Sequence, residues 1–283
     1  MKVCKAISCL RECVASWKKQ GLTVAFVPTM GNLHAGHLSL VAQAQALADK
    51  VVVSIFVNPL QFGENEDFDR YPRTLNEDIL KLSKIATNLV FTPQNSDIYP
   101  NKEQTLVTPL GKISANFEGN IRPGHFEGVT TVVNKLFNMV QPDVAVFGQK
   151  DYQQWLVLSQ MVEDFGMPIQ MVCAKIERED DGLALSSRNQ YLTATQRAIA
   201  PVINQTLMLT KQGLERGVST TQLEDEARTR LLKAGFNQVD YYAILDAKTL
   251  ELVSEMTEKV VVLTVARLGS TRLLDNLVVD LNE

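Results

Sequence analysis

The 283-residue sequence has no excess of positive charge and no long hydrophobic run. Its 28 Lys and Arg are outnumbered by 32 Asp and Glu, which gives a net charge of −4 and argues against a nucleic-acid partner. No apolar run is as long as a membrane span, and charged residues interrupt the N-terminal segment before a secretory core could form. We therefore expect a cytoplasmic protein with no membrane contact.

Cysteine is scarce, with four residues and no Cys-x-x-Cys pair among them. Cys4, Cys9 and Cys13 fall in a first predicted strand and helix, and Cys173 lies much further along the chain. In a cytoplasmic protein such residues are expected to be reduced, packed thiols. We expect neither a redox site nor a zinc site.

Common nucleotide-binding signatures are also missing, since neither Gly-x-Gly-x-x-Gly nor a P-loop follows the predicted strand at 23–27. The sequence there is PTMGNLHAGH, in which Pro28 is predicted to end the strand and a helix is predicted at 38–50. Backbone N–H groups at such a turn bind phosphate. The i, i+3 spacing of His34 and His37 lets both rings face one pocket if the helix begins near them. The alternative is a pair of capping or packed surface histidines.

Strand and helix patterns alternate along the first 176 residues. Strands are predicted at 23–27, 51–57, 88–92, 143–147 and 168–173, and helices at 8–20, 38–50, 74–85, 128–140 and 152–165. This order predicts an α/β fold with a doubly wound, mostly parallel, Rossmann-like sheet.

The pattern changes near residue 176, where a charged run precedes two long helical patterns. Capping boxes that open at Thr193 and Thr221 predict their starts, as the box that opens at Thr74 does for an earlier helix. The second of the two helices should end at Gly235, and strands follow at 239–245 and 260–267. We predict two domains, one at 1–176 and a smaller α+β domain at 177–283.

Two polar clusters follow predicted strands, at the carboxyl edge where parallel α/β sheets bind ligands. Asn58 and Gln61 suit a polar substrate with hydroxyl groups, and the alternative is an Asn-Pro turn with an exposed Gln. Gly148 and Lys150 suit a nucleotide, with Gln154 one helical turn further on, and the alternative is a solvated Lys–Asp pair.

A loop after the predicted domain boundary carries Ser186, Ser187 and Arg188. Two hydroxyls and a guanidinium can clamp an anion, and the alternative is a polar turn. The third histidine, His125, precedes the helix at 128–140 and can line the cleft.

Taken together, these runs resemble the pantothenate synthetase family, within the wider nucleotidylyltransferase group. The resemblance rests on six motifs in order: FVPTMGNLHAGH (26–37), FVNPLQF (56–62), YPRT (71–74), RPGHFEGV (122–129), FGQKDYQQ (147–154) and DGLALSSRNQYL (181–192). They span most of the predicted first domain and the linker after it, and the C-terminal part adds little.

The resemblance implies an ATP-dependent acid–amine ligase that joins (R)-pantoate to β-alanine. The pantoate carboxylate would attack the α-phosphate of ATP to give pantoyl adenylate and pyrophosphate, and the β-alanine amine would then displace AMP. No protein nucleophile is needed, which agrees with a sequence that offers phosphate ligands but no convincing Ser-His-Asp or Cys-His arrangement. Catalysis would come from alignment and from charge stabilisation at the α-phosphate.

The same resemblance implies roles for single residues. His34 and His37 would contact the phosphates, with His37 as proton donor, and Lys150 would also reach them. Gln61 and Gln154 would hold pantoate, with Asn58 beside them and Gln61 near β-alanine. The implied ATP-binding set is Met30, Gly31, Asn32, Leu33, His34, Ala35, Gly36, His37, Gly148, Gln149, Lys150, Asp151, Glu177, Leu185, Ser186, Ser187 and Arg188.

Two residues depart from the family pattern. Gln149 stands where the family usually has Glu, which removes a charge near the ribose, and Leu185 replaces Met with little change of volume. The resemblance further implies Mg²⁺, a homodimer and a second domain that closes over the active site. No carboxylate cluster in the sequence identifies a protein ligand for the metal.

Two other functions stay open at this point. A nucleotidylyltransferase would move AMP or CMP onto a phosphorylated substrate, and it would want an additional Arg or Lys beside Gln61 and Gln154. The second alternative is a protein that binds a nucleotide without catalysis. The presence of His34, His37, Lys150 and Arg188 argues against it.

Overall fold

The computed structural model describes residues 1–64 and 66–282. They form two compact units, each described separately below. The first comprises Met1–Gln149 and Gln153–Lys175, and the second comprises Lys150–Tyr152 and the chain from Ile176 onward.

The first unit contains a six-stranded sheet in which every strand pair is parallel. The spatial order is β1-β4-β3-β2-β5-β6, so β2 lies near the middle. The strands are β1 (Lys2–Cys4), β2 (Val24–Thr29), β3 (Lys50–Ile55), β4 (Leu89–Phe91), β5 (Val144–Gly148) and β6 (Gln170–Ala174).

Helices cover both faces of this sheet. Alternate strand residues divide into two hydrophobic clusters: Phe26 packs with α1, α7 and α8 on one face, and Val27 packs with α2 and α3 on the other. The helices are α1 (Ile7–Lys19), α2 (Ala35–Leu47), α3 (Leu75–Lys84), α4 (Asn95–Ile98), α5 (Lys112–Ala115), α6 (Glu118–Ile121), α7 (His125–Val140) and α8 (Tyr152–Asp164). The predicted doubly wound α/β fold is confirmed.

Strand β2 runs through Pro28, so the prediction that this proline ends the strand is wrong. The Thr29 carbonyl accepts a hydrogen bond from the Phe56 N–H on the β3 side, so the preceding Pro28 faces the β5 side. Pairing of β2 with β5 extends only to Phe26. The missing proline N–H therefore costs no ladder hydrogen bond.

The second unit contains three antiparallel strands in the order β7-β8-β9, packed against helices. Its strands are β7 (Gln238–Asp246), β8 (Lys259–Leu268) and β9 (Thr271–Asp280), and its helices are α9 (Ala194–Ile199), α10 (Val202–Glu215) and α11 (Thr220–Ala234). The sequence patterns miss β9, because its centre places Asp275 and Asn276 side by side and both are buried. Asp and Asn are depleted in strands, and two buried neighbours break the alternation of a strand with one buried face.

One of the three predicted capping boxes is confirmed. Thr193 accepts from the Gln196 N–H, and the Gln196 side chain accepts from the Thr193 N–H. Helix α11 instead has Ser219 as its N-cap, two residues before the predicted Thr221, and ends at Gly235 as predicted. At α3, Thr74 makes no cap hydrogen bond and donates its hydroxyl to Asp78.

The structure corrects the expectation that all four cysteines are reduced. Cys4 and Cys9 form a disulfide with an S–S distance of 2.06 Å, while Cys13 and Cys173 are free thiols. Across residues 1–64 and 66–282, no helix combines the length and the apolar character needed to cross a membrane.

Candidate functional site

The loop between β2 and α2 is a sharp elbow at the carboxyl edge of the sheet. Gly31 has φ +85° and Asn32 has φ +50°, so two successive residues adopt the left-handed region. At Gly31 a Cβ atom would stand 3.1 Å from both the Asp78 carboxylate and the Ile55 side chain. Only glycine combines this positive φ with so close an approach.

Helix α3 holds the elbow from one side. The buried Asp78 carboxylate accepts hydrogen bonds from the Asn32 N–H at 2.9 Å and the Leu33 N–H at 2.8 Å. Lys81 Nζ donates to the Leu33 carbonyl at 2.7 Å. These contacts fix the backbone just before α2, where the N–H groups of the first turn and the helix dipole favour an anion.

The two histidines of the elbow lie together, as their spacing predicts. His34 is the N-cap residue of α2 and His37 lies in its first turn, with ring centroids 4.1 Å apart. The His34 N–H donates to His37 Nδ1 at 3.3 Å. A neutral His37 that accepts at Nδ1 carries its proton on Nε2, which makes Nε2–H the donor. The turn can therefore present an imidazole donor beside a helix N-terminus.

A 3₁₀ turn, Pro59–Gln61, lies at the end of β3 beside this elbow. Gln61 Nε2 lies 3.2 Å from Met30 Sδ, so the turn and the elbow are in contact. Asn58 is buried, donating to Gln61 Oε1 at 3.1 Å and to the Gly128 carbonyl at 3.1 Å. Burial raises the pKa of Tyr99, whose hydroxyl donates to Asn58 Oδ1 at 2.6 Å. Asn58 thus orients Gln61, and Gln61 is the more accessible of the two amides.

His125 supports the same turn from α7. Its Nδ1 lies 2.9 Å from the Gln61 carbonyl, and its Nε2 lies 2.9 Å from Arg122 Nη1. Because a guanidinium only donates, Nε2 is the acceptor and Nδ1–H donates to Gln61. The sequence predicts that His125 can line the cleft. Its role in supporting the Gln61 turn is not predictable from the sequence, because His125 and Gln61 are far apart in the chain.

Charge and burial around His125 oppose its protonation. Burial, together with the nearby Arg122 cation, lowers the pKa of His125 to about 4. Arg122 also binds Glu66 through two hydrogen bonds, of 2.6 and 2.7 Å. Burial acts to raise the pKa of Glu66, but the hydrogen bonds and charge of Arg122 outweigh burial and lower it. At neutral pH the group therefore contains a neutral His125 beside an Arg–Glu ion pair.

Strand β5 ends at Gly148, again at the carboxyl edge, and Gln149 follows it. In α8, Gln153 is buried and binds the backbone carbonyls of Ile113 and Asn116 at 2.7 and 2.8 Å. These contacts fix the start of α8 and leave the neighbouring Gln154 half-buried.

In the second unit, Lys150 Nζ lies 3.7 Å from Asp151 Oδ1, which is the Lys–Asp pair that the sequence offered as the alternative to a nucleotide contact. Asn276 Nδ2 donates to the Lys150 carbonyl at 2.9 Å and so holds this residue's backbone against β9. Next to it, Arg178 binds the buried Asp275 carboxylate at 2.7 and 2.9 Å. The strand that the sequence patterns miss therefore positions a predicted phosphate ligand.

The predicted anion clamp of the second unit begins a 3₁₀ helix, Ser187–Tyr191. Ser186 Oγ accepts from the Arg188 N–H at 3.2 Å, and the Leu185 N–H donates to the Glu177 carbonyl at 2.9 Å. Lys150 and Ser186 line the same small pocket of this unit. Leu185 and Glu177 are thus in contact within the unit.

Comparison with known proteins gives one consistent result. The family model described as pantoate-beta-alanine ligase matches residues 2–278. A pantothenate synthetase from Hydrogenovibrio crunogenus is 51% identical over 283 residues, which cover 99% of this chain and 100% of that protein. The crystal structure of pantothenate synthetase from Thermus thermophilus matches with a TM-score of 0.93 at 41% identity, over 98% of this chain and 99% of that one. The pantoate-beta-alanine ligase from Francisella tularensis, complexed with beta-gamma ATP and beta-alanine, gives a TM-score of 0.83 at 32% identity, over 100% and 98%.

Proposed function

This chain belongs to the pantoate–β-alanine ligase family, and on that premise we propose that it condenses (R)-pantoate with β-alanine through a pantoyl-adenylate intermediate. One observation supports the proposal most strongly. The Gln61 amide lies against Met30 of the elbow, so an amide suited to a hydroxy acid adjoins a helix N-terminus suited to phosphate.

The first step forms a bond between a pantoate carboxylate oxygen and the α-phosphorus of ATP. The bond from that phosphorus to the bridging oxygen breaks, and pyrophosphate leaves with its electron pair. In the second step the β-alanine amine forms a bond to the acyl carbon, AMP leaves and the amine proton passes to solvent. Neither step needs a protein nucleophile, so the protein has to align reactants and stabilise charge.

We assign the phosphate side of the first step to the elbow. His37 Nε2–H donates a hydrogen bond to the phosphate that gains charge, while its Nδ1 is oriented by the His34 N–H. The backbone from Met30 to Gly36 lies against the nucleotide at the start of α2. Asp78 and Lys81 hold that backbone in place before ATP arrives.

We assign the acid to Gln61 and Gln154. Asn58 orients Gln61 and does not itself contact the acid, because Asn58 is buried and its amide nitrogen donates to Gln61 Oε1. Both glutamines are neutral, which suits hydroxyl groups. The cation next to Gln61, Arg122, lies 3.4 Å from the Gln61 carbonyl and is already paired with Glu66. This favours the ligase over a nucleotidylyltransferase that acts on a phosphorylated substrate.

Further assignments rest on the family motifs. We propose Lys150 and Arg188 as phosphate ligands, and Gly148, Gln149 and Asp151 as ribose and adenine contacts. Leu185, Ser186, Ser187 and the backbone of Glu177 complete the proposed nucleotide set. Lys150 is held through its own carbonyl by Asn276, which supports a fixed position for its charge.

We further propose that Mg²⁺ enters as part of the substrate MgATP. Asp78 is a carboxylate in contact with the elbow backbone, but its two oxygens already accept two N–H groups. Magnesium commonly keeps several waters and binds substrate phosphates, so it suits an elbow that offers amides and imidazoles. A cytoplasmic homodimer completes the proposal.

Release of AMP from ATP tests this function. With pantoate, β-alanine and MgATP all present, AMP should be released at each turnover, and omission of any one should abolish steady-state release. AMP transfer to a phosphorylated acceptor without pantoate would instead support the nucleotidylyltransferase.

A further inference from the structure

Three cysteine sulfurs meet where β1 leads into α1. The Sγ atoms of Cys4, Cys9 and Cys13 all lie within 4.8 Å of one another, with Cys4 and Cys9 joined as a disulfide. The proposed ligase reaction uses none of these residues. Three sulfurs at such separations form a cluster with a chemistry of its own.

Secondary structure brings the three residues together. Cys4 is the last residue of β1 and pairs with Phe91 of β4. Cys9 and Cys13 are four residues apart in α1, so both lie on one face of the helix. That face packs on the same hydrophobic cluster that contains Cys4.

We propose that reduction of the Cys4–Cys9 disulfide converts this cluster into a three-thiolate site for a soft monovalent metal ion, Cu(I). A dithiol or trialkylphosphine supplies the two electrons that break the S–S bond, and two protons yield two thiols. Three thiols then lose their protons as three sulfur–metal bonds form. Reduction has to come first, because a disulfide sulfur offers no thiolate.

The number of sulfurs selects the ion. Within the described part of the chain, the ligand group consists of the three cysteines, with no His, Asp or Glu as a fourth member. Structural zinc almost always takes four protein ligands, whereas thiolates also select Cu(I). Cu(I) accepts a planar arrangement of three sulfurs.

The distances suit such a site. Metal–sulfur bonds of about 2.3 Å place three sulfurs about 4 Å apart around one ion. After reduction, the Cys4 and Cys9 sulfurs, which are 2.06 Å apart in the disulfide, have to separate to that distance, and their Cα atoms, 5.6 Å apart, leave room for this by side-chain rotation. All three sulfurs already lie within 4.8 Å of one another, so Cys13 is within reach of the same ion.

The surroundings favour thiolates and allow entry of the ion. Cys9 lies in the first turn of α1, which has no acidic residue, and the positive end of a helix stabilises a thiolate. Cys4 is buried, while Cys9 and Cys13 are half-buried. Strand β1 is at the edge of the sheet, separated from β2 and the elbow by β4 and β3. A metal can thus reach the cluster without passing the elbow.

Competition for Cu(I) tests the proposal on the full-length protein. Protein reduced with a trialkylphosphine and then desalted without oxygen is mixed with the coloured Cu(I)–bicinchoninate complex. About one Cu(I) per chain should transfer, with loss of the visible absorbance and a new ultraviolet thiolate-to-copper band. Protein that has not been reduced should take none, and thiol titration should find Cys13 and Cys173 before reduction and all four cysteines after it.

Matched variants separate the cluster from ordinary thiol chemistry. Cys13→Ser and Cys9→Ser should each lose the transferred Cu(I), whereas Cys173→Ser, outside the cluster, should keep it. Ligase activity of each variant reports that it has folded. Equal transfer to Cys13→Ser and wild type, equal transfer before and after reduction, or no transfer to the reduced protein would each overturn the proposal.

Discussion

Two histidines in this protein show how their neighbours determine what the same side chain can do. His37 lies at the start of α2 with Nδ1 engaged by a backbone N–H, so its Nε2 carries the proton that can be donated to a substrate. His125 is buried with both ring nitrogens engaged, by Arg122 and by the Gln61 carbonyl. The first is proposed to act on phosphate, and the second positions a binding turn.

Replacement of His37 by Ala should lower the rate of adenylate formation by about 100-fold, because one donor to the developing phosphate charge is lost. Pantoate affinity, measured by calorimetry, should change little. Stopped-flow detection of pyrophosphate gives the rate. Weakened pantoate binding with a normal rate would contradict the assigned role.

The His125 ring makes stability depend on pH. Its pKa is about 4 in the folded chain, against about 6.5 when unfolded, so folding favours the neutral ring. The contribution of the neutral ring to the free energy of unfolding is complete above pH about 6.5 and is lost as the pH falls toward 4. Glu66, Glu118 and Arg122 are the charged groups that face the ring.

Urea unfolding at pH 7 and pH 5 measures this effect by comparing wild type with His125→Asn, whose amide can still donate to Gln61. Between pH 7 and pH 5, the free energy of unfolding of the wild type should fall by about 2 kcal/mol more than that of the variant. Equal losses in both proteins would show that His125 is not held neutral.

The residues of the elbow could be found from sequence because spacing alone relates His34 to His37. The roles of Asp78, Arg122 and His125 could not, because each acts on a segment distant in the chain. Burial and partner identity decide those roles, and both depend on the assembled sheet.

At the scale of elements, α3 acts as a clamp on the elbow. Asp78→Asn replaces one accepting oxygen by an NH₂ group, which leaves the N–H of Asn32 or Leu33 without an acceptor. An unpaired buried donor costs about 1–3 kcal/mol. We expect lower stability and a higher KM for ATP, with pantoate binding unchanged.

Glu77→Gln is the matched control for this clamp, since it removes an exposed carboxylate from the same turn of α3. The thermal unfolding temperature of this variant and its KM for ATP should stay close to those of the wild type. If Asp78→Asn behaved like the control, the clamp would have no role in nucleotide binding.

Helix α7 approaches the turn Pro59–Gln61 so closely that only glycine is accommodated at 128. A Cβ at Gly128 would collide with the Leu60 carbonyl and the Gln61 nitrogen. Gly128→Ala should therefore displace the turn, lower stability by about 1–3 kcal/mol and raise KM for pantoate. Asn138→Ala, at an exposed position of the same helix, is the control. An unchanged KM for pantoate in Gly128→Ala would show that the packing of α7 against the turn does not affect pantoate binding.

Periodicity predicts most elements, and its failures have physical causes. Buried apolar strands such as β2 and β3 are evident in the sequence, as are helices with an apolar face. Strand β9 escapes because buried Asp275 and Asn276 interrupt its pattern. The predicted box at Thr74 is absent because the backbone there, at ψ 38°, is not in the extended region of an N-cap residue, and the hydroxyl donates to Asp78.

For the whole molecule, the alternation of elements predicts the parallel sheet, and the ordered motifs predict the family. The disulfide was not predicted, because the spacing of Cys4 and Cys9 shows nothing of how β1 meets α1. The sheet explains why two motifs distant in sequence act together, because the elbow and the Gln61 turn follow the adjacent strands β2 and β3. Adjacent parallel strands deliver both to the same edge.

Exchange of labelled pyrophosphate into ATP tests the central claim most directly. If pantoate is activated on the enzyme before the amine reacts, pantoate and MgATP alone should support exchange, with no β-alanine present. His37→Ala should slow that exchange. Folded wild-type protein that shows no pantoate-dependent exchange, while still forming pantothenate when β-alanine is added, would contradict the adenylate mechanism.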